Sequence, residues 1–178
     1  TVPFTRALEL MNRFQEPEAH TLIEDLGLPD GSHGLDIGCG VGNYHPHLSG
    51  LVGSISGVDV SGECIDTAKS RNADISYQAY DGERLPFADR SFDIVYTVCV
   101  MHHVPPAQWP VFAGEMRRVM RPGGLVMVFE HNPFNPLTRR IVSNCEFDKD
   151  AVLLRSSKTE TLLKDAGFGE VGTKFILS

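Results

Sequence analysis

The sequence predicts a doubly wound α/β fold, a mostly parallel sheet flanked by helices on both faces. Three observations predict it. Short apolar runs alternate with stretches of helical spacing, a glycine-rich turn follows the first run, and polar residues recur where the runs end. At 178 residues the chain fits a single domain over residues 1–178, long enough to bury a core.

Phe4, Leu8, Met11 and Phe14 share one helical face, and a second helical stretch from Pro17 to Leu26 stops at Gly27 and Pro29. Residues 1–30 together read as an N-terminal helical lid. His33 to Ile37 is a buried strand, and Asn43 to Leu51 a helix whose first turn holds Pro46. Ile55 to Asp59 is the second strand, followed by a helix over Gly62 to Ser70 with Ser61 as its cap. Ile75 to Ala79 is the third strand; Phe92 to Val100, almost continuously apolar, is a fourth, buried on both faces. Gln108 to Met120 forms a helix with Trp109 and Phe112 in the core, closed by Pro122-Gly123-Gly124. Leu125 to Glu130 is the fifth strand, Lys158 to Ala166 a helix ended by Gly167, and Val171 to Leu177 a final strand. The connection over residues 132–157 is long for a compact domain and reads as an acceptor-binding insertion.

Composition narrows the partners. Hydrophobic residues at 42% and charged residues at 22% are ordinary for a globular protein. A formal charge of −7 argues against nucleic acid or an anionic membrane as the main partner. Arg117-Arg118 and Arg139-Arg140 are isolated doublets, not the clustered stripe that nucleic acid requires. The longest strongly apolar run, Ile94 to Met101, falls short of the roughly 18 residues of a membrane span. Nothing at the start reads as a secretory signal, and the missing initiator Met reads as a trimmed start. Cys39, Cys64, Cys99 and Cys145 show no paired spacing, which fits a reducing cytoplasm. The chain sets no oligomeric state.

The chemistry begins at Leu35-Asp36-Ile37-Gly38-Cys39-Gly40-Val41-Gly42, a strand running into a glycine turn. Its glycines let a ligand approach the backbone without a Cβ in the way, and the following helix offers unpaired N–H groups to an anion. Asp59, nineteen residues past Gly40, ends the next strand and suits a pair of ribose hydroxyls. A dinucleotide turn needs Gly-x-Gly-x-x-Gly, but position 43 is Asn and the third glycine arrives one residue early at Gly42. The spacing therefore favours S-adenosylmethionine. Gly38, Asp59, Asp81, His102 and Glu130 all fall at the carboxyl ends of strands, where doubly wound sheets bind ligands.

With these residues the chain resembles the class I S-adenosylmethionine-dependent methyltransferases, and among them the small-molecule type 11 group. The resemblance is close over about residues 30–131. It implies a Rossmann-like sheet and places the glycine turn around the methionine moiety. Asp59 is implied on the ribose and Tyr80-Asp81-Gly82 at the adenine amino group. Phe92-Asp93-Ile94-Val95 through His102-His103-Val104 is similar to the family's fourth strand and its turn, and Arg121-Pro122-Gly123-Gly124 to the turn that introduces the fifth. The cofactor set is then Asp36, Gly38, Cys39, Gly40, Gly42, Asp59, Val60, Asp81, Gly82, Val98 and Cys99. The family's sheet closes with an antiparallel hairpin; here a single antiparallel strand is expected, leaving the hairpin incomplete.

The implied reaction is methyl transfer to a small molecule, with oxygen as acceptor favoured, yielding S-adenosylhomocysteine. A nicotinamide-dependent oxidoreductase and a non-catalytic S-adenosylmethionine-binding module are the alternatives. His103 or His131 is a candidate general base, because imidazole titrates near neutral pH. No metal is expected: His45 and His47 are two apart and lack a third ligand nearby. Cys39 reads as a small filler whose backbone touches the ligand, not as a reactive thiol.

Overall fold

The structure is a computed structural model that describes residues 31–48, 52–145 and 148–175. The helices expected within residues 4–26 lie outside the described residues. Strands β1 (His33–Ile37), β2 (Ser54–Asp59), β3 (Ser76–Ala79), β4 (Phe92–Val98) and β5 (Met120–Phe129) form one sheet in the order β3-β2-β1-β4-β5. Every pairing is parallel. The chain steps outward from β1 to β3 and then returns to lay β4 against the other side of β1. Strand order therefore reverses between β1 and β4, the place where such sheets hold ligands.

The helices are α1 (His45–Leu48), α2 (Gly62–Arg71), α3 (Trp109–Val119), α4 (Pro136–Asn144) and α5 (Ser156–Asp165). Pro46 sits in the first turn of α1, where its missing N–H costs nothing. Ser61 caps α2, its hydroxyl accepting the Cys64 N–H at 3.2 Å. Gly167 ends the α5 region in a left-handed conformation, with N–H bonds from Gly167 to the Lys164 carbonyl and from Phe168 to that of Leu163. This paired closure is the one glycine supplies most cheaply.

The core lies on both faces of the sheet. Leu35, Ile37, Val58 and Val95 pack on Trp109, Phe112, Met116 and Val119 of α3 and on Leu162 and Leu163 of α5. The opposite face gathers Ile55, Ile94, Tyr96 and Met127. A smaller cluster sets Cys39 and Tyr77 against Ile65 and Ala68 of α2. Because β1 and β4 are covered on both sides, they read as near-continuous apolar runs.

Two expectations are corrected. Arg121 to Gly124 does not precede β5. Phe92 pairs with Met120 and Ile94 with Leu125, so these four residues bulge from within the strand. Val171 to Lys174 and Phe175 are not in a strand, and the rest of the final strand lies outside the described residues. The 132–157 connection carries a helix, α4, that the sequence reading did not assign. Elsewhere the shifts are small: β4 ends at Val98, and Pro106–Gln108 forms a 3₁₀ turn ahead of α3.

The start of β4 carries an acid-sensitive tie. Asp93 Oδ2 accepts the His33 N–H at 2.8 Å and the Arg121 guanidinium at 2.7 Å. Burial opposes its ionisation, yet these two donors hold the carboxyl below its ordinary value of 3.8. The folded-state pKa is thus depressed, so the stabilisation is present above that ordinary value and disappears as pH falls through the folded value. Stability measured by urea unfolding should drop in this acid range, and Asp93→Asn should flatten the drop. An identical acid profile in the variant would refute the tie.

Candidate active site

The glycine turn is held by the strands beneath it. The N–H groups of Gly38 and Cys39 both donate to the Val58 carbonyl, at 2.8 and 3.0 Å, and Gly42 N–H donates to Cys39 at 2.9 Å. Gly38, Gly40 and Gly42 have φ of 76°, 51° and 72°, a region that side chains with a Cβ rarely adopt. A Cβ on Gly38 would run into the Val100 isopropyl group, and one on Gly42 into the Tyr77 hydroxyl and Asn72. Around Gly40 a Cβ would meet no atom of the described residues, which leave the crest of the turn an open face.

Asp59 joins this turn to the end of β2. Its Oδ2 accepts the Gly40 N–H and its Oδ1 the Ser61 N–H, both at 2.8 Å. Val60, next in the chain, is 65% exposed, an apolar side chain standing bare at the sheet's rim. Asp81 accepts the Glu83 and Arg84 N–H groups on the same oxygen, Oδ1, in a turn that Gly82 completes at φ 83°. Those backbone bonds, Arg84 first, hold its carboxyl below the ordinary value. The described geometry gives Asp81 a turn role. Cys39 is buried, and burial pushes its thiol far above the usual range, which suits a filler and not a nucleophile.

Asp36 faces inward. Its Oδ2 lies 2.8 Å from His45 Nε2, and His45 Nδ1 lies 2.5 Å from the Tyr77 hydroxyl. Asn72 Nδ2 donates to that hydroxyl at 2.9 Å and to the Gly42 carbonyl at 3.1 Å. Desolvation raises the Asp36 pKa, against the pull of His45. This buried latch fastens the far side of the glycine turn to β1, α1 and β3. Sequence reasoning weighed His45 only as a metal ligand and missed it, since nothing local marks a polar pair that forms across the fold.

Beyond β4 the chain turns sharply. Cys99 has φ 56° and donates its N–H to Phe129 at 2.8 Å, while Val98 pairs with Phe129 in the sheet. A non-glycine residue in this region costs roughly 1–3 kcal/mol and is concentrated at functional sites. The turn Met101–His103 follows, pinned by Trp109 Nε1, which donates to the Met101 and Val104 carbonyls at 3.0 and 2.9 Å.

Glu130, just past β5, organises the rim. Its Oε1 accepts the Val100 and Met101 N–H groups at 3.0 and 2.7 Å, and Oε2 lies 2.6 Å from His102 Nδ1. His102 is fully buried, whereas the His103 side chain is 43% exposed. The rings of His103 and His131 stand 4.2 and 5.1 Å from that of His102. Burial lowers the pKa of both His103 and His131, with the neighbouring His102 adding to it. His102 goes the other way: burial lowers its pKa, but Glu130 and Asp148 outweigh it and raise the value. The structure thus brings both candidate bases together and adds Asp148, which the sequence reading did not single out.

These parts meet the demands of a nucleoside with a charged tail. The glycine turn follows β1, beside the strand-order reversal, a carboxylate at the end of neighbouring β2 ties to it, and an exposed apolar residue follows. A profile of the family described as a methyltransferase domain matches residues 35–128, more than half of the chain. The chain is 31% identical over 130 residues to an uncharacterized methyltransferase of Synechocystis sp., covering 72% of this chain and 61% of that protein. It is 33% identical over 115 residues to the demethylmenaquinone methyltransferase of Staphylococcus aureus, covering 61% of this chain and 47% of that one. The chain thus spans less than two thirds of these relatives' length. Among solved structures, a possible histamine N-methyltransferase from Thermotoga maritima superimposes with a TM-score of 0.72 at 26% identity, covering 94% of this chain and 78% of its own. No helix among the described residues is long and apolar enough to cross a membrane. With its parallel sheet, its glycine turn and its strand-ending acid, the chain belongs to the methyltransferase-domain family, in the S-adenosylmethionine-dependent class I fold.

Proposed function

We propose that this chain carries a methyl group from S-adenosylmethionine to a small-molecule acceptor in the cytoplasm, with an oxygen atom as the favoured acceptor. The observation that carries the reading is the bond from Gly40, in the turn after β1 beside the strand-order reversal, to Asp59 at the end of β2. When bound, the cofactor supplies a methyl on a sulfonium, already activated for in-line displacement. The chain's own residues have to bind, orient and keep water out. Asp59 accepts the ribose hydroxyls, the Gly38–Gly42 turn lies along the methionine moiety, and Val60, Val98 and Cys99 wall the cofactor. Asp81 and Gly82 take the adenine edge. Holding acceptor and methyl at attack distance can supply roughly 7–11 kcal/mol.

His103 and His131 support an oxygen acceptor. Either imidazole at this rim can take the proton a hydroxyl loses, a contribution of about 10²–10⁴-fold; an amine acceptor needs less such help. The relative named for demethylmenaquinone supports a small molecule as the acceptor class. The 132–157 connection, with exposed Phe134 under the Arg155 guanidinium at 5.5 Å, forms the acceptor wall.

The test is calorimetry with S-adenosylhomocysteine and with a nicotinamide dinucleotide, followed by labelled methyl transfer to a panel of hydroxylated acceptors. Saturable binding of the first ligand and labelled product support the reading; binding of the dinucleotide alone overturns it, and cofactor binding without any product favours a non-catalytic module. His131→Ala should cut turnover by about 10²–10⁴-fold while leaving cofactor affinity intact. Equal losses in turnover and affinity would make His131 a structural residue.

A further inference from the structure

The groups around His102 do more than the proposed reaction asks of them. Asp148 Oδ1 lies 3.5 Å from His102 Nε2 and 3.3 Å from His103 Nε2, and the three donor atoms all fall within 4.8 Å of one another. Two imidazoles thus share one carboxylate oxygen at the rim of the sheet. The three residues come from two distant segments, so spacing along the chain, which sets aside His45 and His47, says nothing about them.

The tautomer is decided by Glu130. That carboxylate already accepts two backbone N–H groups, and its Oε2 sits 2.6 Å from His102 Nδ1, so the shared proton belongs on Nδ1. In the neutral ring Nε2 then carries a lone pair, and it is the atom nearest Asp148. A carboxylate on one ring nitrogen, with the other ring nitrogen facing the ligand cluster, is the outer support that metal-ligating histidines usually have.

The distances suit a small divalent ion. With metal–nitrogen and metal–oxygen lengths near 2.0–2.2 Å, ligand atoms around a tetrahedral centre lie about 3.3–3.5 Å apart. Both distances to Asp148 Oδ1 already match. The remaining edge can close by rotation of His103, whose side chain is 43% exposed, while buried His102 stays fixed. Three protein ligands leave a fourth position open, toward the exposed side of His103. Magnesium and calcium prefer all-oxygen shells, whereas two imidazoles with one carboxylate suit zinc, cobalt or nickel.

We propose that His102 Nε2, His103 Nε2 and Asp148 Oδ1 bind a zinc-class divalent cation, with Glu130 as the outer carboxylate and one coordination position left for water or a ligand oxygen. With the ion bound, His103 Nε2 is occupied and the proton-accepting role falls to His131. A protonated His102 bridging Glu130 and Asp148 is the competing arrangement, and it binds no metal.

The experiment strips the full chain with chelator and titrates Zn²⁺ by calorimetry and Co²⁺ by visible absorption, with no cofactor or acceptor present. Its outcome is therefore independent of whether methyl transfer is the activity. Expected is one saturable equivalent per chain, with a four-coordinate Co²⁺ spectrum lacking thiolate charge-transfer bands. His103→Ala and Asp148→Asn should each weaken binding at least tenfold, and Glu130→Gln by about 10–100-fold. Metal-free melting checks that each variant folds, with His103→Gln used where His103→Ala does not. Absence of saturable binding at about 100-fold excess overturns the proposal, because three ligands with outer support bind far more tightly. Unchanged affinity in the folded variants also overturns it, since the ion would then sit on the cysteines or elsewhere.

Discussion

Asp59→Ala should weaken the binding of S-adenosylhomocysteine by about 1.5–3 kcal/mol, roughly 10- to 150-fold. Two losses combine. The ribose hydroxyls lose a charged acceptor, and the Gly40 and Ser61 N–H groups lose the oxygens that hold them 2.8 Å away. The crest of the turn then loses its tether to β2, so part of the deficit should appear as a lower melting temperature without ligand. Asp59→Asn keeps one acceptor oxygen and should fall between the variant and the wild type. Calorimetry separates the effects, and unchanged affinity in Asp59→Ala would remove the carboxylate from the cofactor site.

Gly38→Ala should destabilise the fold strongly. Its φ of 76° costs an L-residue about 1–2 kcal/mol, and the new Cβ meets Val100 across the gap between β1 and β4. Overpacking of this kind adds about 1–3 kcal/mol, so a total destabilisation of about 2–5 kcal/mol is expected in urea unfolding. The two contributions can be told apart. Val100→Ala in the Gly38→Ala background should recover the steric part and leave the conformational part. Additive losses in the double variant would show that the two residues do not meet.

Much of this fold is legible in the sequence because β1, β2 and β4 are buried parallel strands, and burial on both faces writes apolar runs with polar ends. Ser61 is legible for a local reason, since a cap needs only its own turn. The bulge at Arg121 to Gly124 is not, because it depends on where Met120 and Leu125 pair with β4. Helix α4 carries its signal in Asn135-Pro136: the Asn135 carbonyl accepts the Arg139 N–H at 3.0 Å, and Pro136 takes the first helical position. Two prolines nearby make the segment read as loop instead. At the site, the glycine turn and Asp59 are visible as spacing. The Asp36–His45–Tyr77 latch and the approach of Asp148 to His102 are not, because they join residues that only the closed sheet brings together. Asp81 is visible too, in a turn where its Oδ1 accepts the Glu83 and Arg84 N–H groups.

The indole of Trp109 ties two ledgers that proteins usually keep apart. Its ring is mortared into the hydrophobic slab beneath the sheet, while its one polar atom grips the short turn that carries His102 and His103. A change to Phe112 or Met116 that tilts this helix by a fraction of an ångström would travel along that strut to the reacting edge. Drift in the interior is therefore felt at the mouth of the site, and variants selected only for robustness would tune turnover as they arise.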